Sequence, residues 1–239
     1  MKVSIIIPCY NEEEGIGYLS RVLSKLLPRI RKKHDIELIF VDDGSRDSTY
    51  KLLKKYFGKW KFTKIIKHRT NMGFGAAFRT AIKNSTGDVI FQMDADCSYP
   101  LGNVMNMIAG IGQYDIVTAS PMHPKGKIGD IPFHRRILSM SISQIYRLIS
   151  GSNIHTFTCA FRTYRGDMLR NLKFKSNGFT CAAEILLISL SKKYKVKEFP
   201  SVVSNRIYGQ SKMKTLKAIR EHLKLIMRVL KLRISSKRE

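Results

Sequence analysis

The chain has 239 residues, 44% of them hydrophobic, enough for one sizeable core with a short appendage. Its 43 Lys and Arg face only 18 Asp and Glu, a formal net charge of +25, so an anionic partner is expected: nucleic acid, an acidic membrane surface or phosphorylated substrates. The four cysteines contain no C-x-x-C pair, no run reaches 18 consecutive apolar residues, and the apolar stretch before Pro8 is short, which argues against a zinc or dithiol motif, a spanning helix and a signal peptide.

The first half alternates short apolar runs with helical stretches. "VSIII" (3–7) is β-branched and reads as a strand. A helix follows from about Glu12 to Lys33, with Leu19, Val22, Leu23, Leu26 and Leu27 on one face. "IELIFV" (36–41) is the next strand, and "SRDSTYKLLKKYF" opens with capping residues and continues as a helix. "FTKIIK" (62–67) is a third strand, "NMGFGAAFRTAIKNS" a helix started by glycine, and "DVIFQM" (88–93) a fourth strand of almost wholly apolar, central character. This alternation predicts an α/β domain with a mostly parallel sheet and right-handed crossovers.

Beyond residue 120 the pattern changes. "SPMHPKGKIGDIPFHRR" is rich in Pro, Gly and basic residues and reads as a long functional loop. A helix from about Ile137 to Ile149, a strand at "FTCAFRTYR", a helix at "AAEILLISLSKKY" and a strand at "VKEFPSVV" follow. The last element is an amphipathic helix from about Met213.

Ligands of open α/β sheets bind outside the carboxyl ends of the strands. Three signals fall there: "PCYNEEE" after the first strand, "VDDGSRDST" after the second and "DADCSYP" after the fourth. A parallel sheet brings them to one edge, so Asp42, Asp43, Asp94 and Asp96 are expected to share a pocket. Clustered carboxylates in so basic a chain call for a cation, and hard oxygen ligands favour magnesium or manganese, which binds one or two carboxylates plus substrate phosphates. Singly, D-x-D and "DDGS" are also ordinary turn and cap chemistry; their order and spacing together carry the signal.

In order, "VSIIIPCYNEEE", "VDDGSRDST", "NMGFGAAFRTAI" and "FQMDADCSYP" resemble the nucleotide-sugar half of the family two inverting glycosyltransferases, whose GT-A fold is a doubly wound α/β sheet. The later stretches "RRILSMSISQIYRLISG", "TFTCAFRTYR", "GFTCAAEILLISL" and "VVSNRIYGQSKM" resemble the polyprenyl-phosphate hexosyltransferases, the dolichol-phosphate mannose synthase-like branch. The resemblance covers about residues 1 to 230. It implies one glycosyltransferase domain over 1–212, with a nucleotide-sugar half (1–119) and an acceptor half (120–212), followed by a basic amphipathic helix (213–239).

By that resemblance Pro8, Tyr10 and Glu12 line the nucleotide's base and ribose, Asp42 and Asp43 accept hydrogen bonds from it, and Asn71 and Gly73 open a helix whose amides face it. Asp94 borders the ribose and the metal, and Asp96 binds Mg2+ or Mn2+ on the diphosphate. Asp96, Arg135 and Arg206 are the implied catalytic residues. Arg135, Ser139, Arg206 and Lys212 form the implied acceptor-phosphate site, since guanidinium forks suit phosphate geometry. Two departures stand out. Ser98 replaces a Gln that the family often carries after the second Asp, and Met122 stands where the synthases often have Arg, with His123 or Lys125 as possible substitutes.

Glu184 occupies the place of the catalytic acid of related enzymes, but Ile185 replaces the second acid typical of sugar-hydroxyl acceptors, which favours a phosphate acceptor. In the last helix Leu216, Ile219, Leu223, Ile226, Met227 and Leu230 recur at three- and four-residue steps beside Lys217, Arg220, Lys224, Arg228 and Lys231, a pattern suited to an anionic bilayer surface or to packing on the domain. The resulting expectation is an enzyme peripheral on the cytoplasmic face of a membrane, alone or with a separate membrane protein. It would transfer a hexose from a nucleotide sugar of the GDP-mannose or UDP-glucose type to a polyprenyl phosphate. A family two enzyme acting on a sugar hydroxyl, with Glu184 as base, is the alternative. Nucleic-acid binding is motivated by charge alone, and no nucleic-acid motif supports it.

Overall fold

The computed structural model describes residues 1–129, 132–204, 207–208 and 215–235, less the side chains of 134, 135, 215 and 232–235. β1 (Lys2–Cys9), α1 (Glu13–Arg31), β2 (Asp35–Asp42), α2 (Thr49–Phe57), β3 (Thr63–Lys67), α3 (Phe74–Lys83) and β4 (Val89–Gln92) alternate as the sequence pattern predicts. A 3-10 turn at Leu101–Asn103 leads into α4 (Val104–Ala109), β5 (Ile116–Ser120), β6 (Lys127–Ile128) and α5 (Phe133–Ser150). Then come β7 (Arg162–Arg165), α6 (Gly166–Asn171), α7 (Cys181–Ser191), β8 (Val196–Pro200), β9 (Val202–Val203) and α8 (Thr215–Ser235).

Seven strands form one sheet in the order β3-β2-β1-β4-β7-β5-β8. β1 pairs in parallel with both β2 and β4, so the chain first winds outward to β3 and then returns to the other side of β1. That reversal opens a crevice between the carboxyl ends of β1 and β4. β7 is the one antiparallel strand of this sheet, set between β4 and β5, and β8 pairs in parallel with β5.

The alternation of side chains along β1 divides the core into two layers. Val3, Ile5 and Ile7 pack against Leu19, Leu23 and Phe57 on the α1/α2 side, whereas Ile6 faces Phe78 of α3 and Ile185 of α7. Both faces of the strand are buried, which is why it reads as an unbroken apolar run.

Four features differ from the sequence expectation. β5, α4 and α6 lie where the pattern assigns no element. β5 is buried at all five positions and short, so it carries no alternation to read. The strand expected over "FTCAFRTYR" is ordered only at Arg162–Arg165. Upstream, the Phe157 carbonyl accepts from Arg162 Nη2 (2.8 Å) instead of joining a ladder. α5 begins at Phe133, four residues before the expected Ile137, because Pro132 sets the entry dihedral. The expected loop over 120–136 also contributes β6, which pairs in parallel with β9.

Candidate active site

At the crevice the chain turns for identifiable reasons. After β1, Asn11 adopts φ 50°, a left-handed conformation that Asn tolerates better than most residues. Its N–H donates to Ser45 Oγ (2.9 Å) and its side-chain oxygen accepts from the Arg46 N–H (2.9 Å). The Glu12 N–H donates to Thr49 Oγ1 at 2.8 Å, and Glu13 Oε2 accepts from the Ser48 N–H at 2.8 Å. Much of "VDDGSRDST" therefore laces the end of β2 to the start of α1.

The two aspartates of that segment separate, as neighbours at the end of a strand do. Asp42 is fully buried, and its Oδ1 accepts from the Ser45 N–H (3.1 Å) to close the turn. Asp43 lies on the other side, and its Oδ1 accepts from His68 Nδ1 (2.7 Å) and the Met72 N–H (3.0 Å), its Oδ2 from the Gly73 N–H (2.7 Å). Gly73 has φ 97° and begins α3; a Cβ there would lie 2.5 Å from the Asn177 carbonyl oxygen, so only glycine fits.

These turns enclose a cavity of about 400 Å³, within the roughly 300–1,000 Å³ of small-molecule sites. One wall is Pro8, Cys9, Tyr10 and Glu12; a second is Asp43, Asn71, Gly73, Phe74 and Ala77; a third is Asp94, Ala95 and Asp96. The fourth is Gly178 and Phe179 together with Lys217, Ala218 and Glu221 of α8. The expected pocket of four aspartates thus contains three, since Asp42 is turned into the β2 turn and does not line it. Phe74 and Phe179 stack with ring centroids 5.0 Å apart, joining the second wall to the fourth.

Five carboxylates (Glu12, Asp43, Asp94, Asp96, Glu221) and one cation (Lys217) are among the described residues that line this cavity. Among the described residues no cluster of three or more metal-ligating side chains forms. Asp94 and Asp96 would suit a divalent cation that drew its remaining ligands from phosphate and water. Ser98 donates to Asp96 Oδ1 through both its N–H (2.9 Å) and its Oγ (2.6 Å), which orients the carboxylate from behind. Cys97 sits beside them at φ 52°; burial, then the charges of Asp96 and Asp94, push its thiol up to about 12, so it stays protonated.

The implied acceptor residues lie elsewhere or outside the description. Ser139, on α5, shares a hydrogen bond with Thr158 Oγ1 (2.7 Å) and does not line the cavity. The side chain of Arg135, and all of Arg206 and Lys212, fall outside the described residues. Met122 borders a separate, smaller cavity with His155 and Arg147, and the His123 ring packs edge-on against His155 at 5.4 Å. Glu184 is buried and does not line that larger cavity. Its carboxylate accepts from the Ser176 N–H (2.7 Å), the Lys175 N–H (3.2 Å) and Arg228 Nη1 (2.9 Å). It fixes the 175–179 loop and fastens α8, and Arg79 grips the same loop through the Ser176 carbonyl (2.9 Å).

Sequence reasoning did not place Phe74, Phe179 or Glu221 in the site. Phe74 and Phe179 follow glycines, which is a local signal of close approach; Glu221 has none, because its position depends on how α8 docks.

A sequence model described as glycosyl transferase family 2 matches residues 4–173. A dolichol-phosphate mannosyltransferase from Pyrococcus furiosus is 30% identical over 234 residues, covering 97% of this chain and 64% of that protein. A dodecaprenyl-phosphate galacturonate synthase from Rhizobium johnstonii is 26% identical over 174 residues, covering 72% and 50%. The chain thus spans one half to two thirds of the length of these two relatives. An undecaprenyl-phosphate mannosyltransferase from Micrococcus luteus is 28% identical over 228 residues, covering 89% of this chain and 88% of that protein. Among solved structures, glucosyl-3-phosphoglycerate synthase from Mycobacterium tuberculosis, in complex with UDP, superposes with a TM-score of 0.72 at 16% identity over 95% of this chain and 79% of its own. The same enzyme with Mn2+, UDP-glucose and phosphoglyceric acid gives 0.68 at 15% identity, over 95% and 79%. At these identities the likeness is one of fold.

Proposed function

Because the chain belongs to glycosyl transferase family 2, we propose that it transfers one hexose from a nucleotide sugar to a polyprenyl phosphate, with inversion at the sugar carbon. Three relatives bear names of polyprenyl- or dolichol-phosphate sugar transferases, which supports this acceptor class. The donor is a nucleoside diphosphate sugar of the GDP-mannose or UDP-glucose type, seated in the cavity between β1 and β4.

In the proposed reaction a phosphate oxygen of the lipid attacks the anomeric carbon opposite the leaving group. The new C–O bond forms as the bond to the nucleoside diphosphate breaks, and the diphosphate departs with the electron pair. Pro8, Tyr10, Glu12, Asp43, Asn71 and Gly73 hold the nucleoside, and Asp94 and Asp96 face its phosphates. Asp94 and Asp96 would hold a magnesium or manganese ion there, which would supply positive charge against the departing diphosphate. Arg135, Ser139, Arg206 and Lys212 are assigned to the acceptor phosphate, as charge-assisted donors typically worth about 1.5–3 kcal/mol each.

The observation that carries the reading is the engagement of Glu184. A sugar hydroxyl needs a base, whereas a phosphate monoester, with a second pKa near about 6, is already anionic at neutral pH. Both Glu184 oxygens accept from backbone amides and one also from Arg228, away from the cavity, so the chain offers no base from α7. That arrangement supports a phosphate acceptor over a sugar hydroxyl.

Surface features support a membrane setting. α5 leaves Phe133, Ile137, Met140 and, two turns further on, Leu148 exposed, and α8 leaves Leu216, Leu223, Met227 and Leu230 exposed beside Arg220, Lys224 and Lys231. No helix among the described residues is long and apolar enough to cross a membrane. We assign the protein to an anionic membrane surface on the cytoplasmic side, in keeping with its four free cysteines.

The test is to incubate labelled GDP-mannose and UDP-glucose with Mn2+ and a lipid extract. Label is expected in a mild-acid-labile lipid phosphate with one donor, and to vanish in Asp96→Ala or with chelator. Label in an acid-stable glycan or glycolipid would overturn the acceptor; full activity of Asp96→Ala in chelator would overturn the metal.

A further inference from the structure

His68 follows β3, and its side chain is only 10% exposed. Both ring nitrogens are engaged: Nδ1 with Asp43 Oδ1 (2.7 Å) and Nε2 with Thr80 Oγ1 (2.9 Å) on α3. Its backbone N–H donates to the Asp42 carbonyl (2.9 Å), which fixes the ring's origin. Asp43 lines the donor cavity, and three hydrogen-bond partners leave it few choices. Oδ1 accepts from both His68 and the Met72 N–H, while among the described residues Oδ2 accepts only from the Gly73 N–H. A carboxylate oxygen has two lone-pair sites, so Oδ1 is filled and Oδ2 retains one.

We propose that His68, buttressed by Thr80, is a positioning residue that turns the Asp43 carboxylate so that Oδ2 offers its remaining lone pair to the donor's nucleoside while both oxygens hold the 72–73 amides at the cavity wall. This rests on the donor reading of the cavity given above. A carboxylate only accepts, so Nδ1 carries the hydrogen that is donated to Asp43, and Nε2 shares a hydrogen bond with the Thr80 hydroxyl. Without the ring, the carboxylate is held only through the Met72 and Gly73 amides of one loop, so the direction of its free lone pair is fixed less firmly. A cation is not required for this role, which distinguishes it from an ion pair.

The chemistry of the contact allows a pair of variants that separate positioning from packing. In His68→Asn the amide nitrogen falls near the place of Nδ1 and can still donate to Asp43, while the Thr80 contact is lost. In His68→Gln the longer amide reaches toward Thr80 and withdraws the donor from Asp43. The measurement is calorimetric binding of GDP and of UDP, each with Mn2+, together with donor and acceptor KM and kcat. His68→Ala and His68→Gln are expected to weaken the preferred nucleotide roughly ten- to a hundredfold, the range for a lost charge-assisted hydrogen bond. His68→Asn is expected to stay within about threefold of the parent. Donor KM should rise with the same pattern, with kcat and acceptor KM unchanged, and the Met72 and Gly73 amides should exchange faster in the Gln than in the Asn variant. Equal nucleotide affinity in the Asn and Gln variants would overturn the proposal, even if His68→Ala does not fold. If the parent itself binds neither nucleotide, the donor reading fails and the proposal with it.

Discussion

At Glu184 the carboxylate accepts from the Ser176 N–H at 2.7 Å and from Arg228 at 2.9 Å, and it is buried. A general base needs a lone pair directed at the substrate; here the lone pairs are directed at the 175–179 loop and α8. Glu184→Gln keeps the size but places an amide N–H against backbone donors, a mismatch that typically costs about 1–3 kcal/mol. At about 2–4 °C per kcal/mol for a chain of this size, the melting temperature should fall by several degrees. Turnover should fall by roughly tenfold or less, because loss of a true base costs about 10²–10⁴. The basic limb of the pH–rate profile should be unmoved. A thousandfold loss of turnover with unchanged melting and substrate binding would return Glu184 to the role of base. At the same scale, "DDGS" was legible as a signal but not divisible: strand alternation says that Asp42 and Asp43 part, but which one faces the cavity depends on the pleat of β2. His68 and Thr80 were not legible at all, since His68 meets Asp43 across 25 residues and Thr80 across 12.

α8 shows how far an element's sequence pattern reaches. The periodicity predicted one apolar stripe through Leu216, Ile219, Leu223, Ile226, Met227 and Leu230. In the structure the packed face is instead Ala218, His222 and Leu225, while Ile219 and Ile226 are half-buried and Leu216, Leu223, Met227 and Leu230 are exposed. His222 anchors the helix by a 2.8 Å hydrogen bond to Tyr146 Oη of α5, and burial lowers its pKa to about 4, so it is neutral near pH 7. A polar histidine in the packed row concealed that face from a hydrophobicity count. The exposed rows of α5 and α8 then have the composition of interfacial helices, with basic residues worth roughly 1 kcal/mol each near an anionic surface. Sedimentation with vesicles should therefore require anionic lipid, weaken as salt rises, and weaken at least about tenfold in Leu148→Asp with Met227→Asp, since burying a leucine-sized side chain contributes about 1.5–3 kcal/mol. Equal binding to neutral vesicles, or binding indifferent to both substitutions, would remove the membrane from the proposal.

Over the whole molecule, the half up to β4 was readable because each strand is followed by a helix and each break carries acids or glycine. The other half was less so, because β7 enters antiparallel and is pinned by a buried side chain: Arg162 donates to Thr118 Oγ1 (2.9 Å), the Ala182 carbonyl (2.6 Å) and the Phe157 carbonyl (2.8 Å). Those bonds tie β5, α7 and the preceding loop to one guanidinium, a tertiary arrangement that no local pattern announces. The sheet that results is of the doubly wound GT-A type, and it brings Asp94 and Asp96, just past β4, into one cavity with Tyr10 and Glu12, just past β1, a cavity also bordered by α8. The paired acids at the tip of a buried strand thus stand where a basic protein has gathered carboxylates around one pocket. On the proposed function, an acceptor already carrying negative charge attacks the donor sugar without a base from α7. The most direct measurement offers the same polyprenyl chain as its phosphate and as its free alcohol, with the preferred labelled nucleotide sugar and Mn2+ at neutral pH. Label should enter only the phosphate and be released by mild acid; label on the alcohol at a comparable rate would contradict the claim.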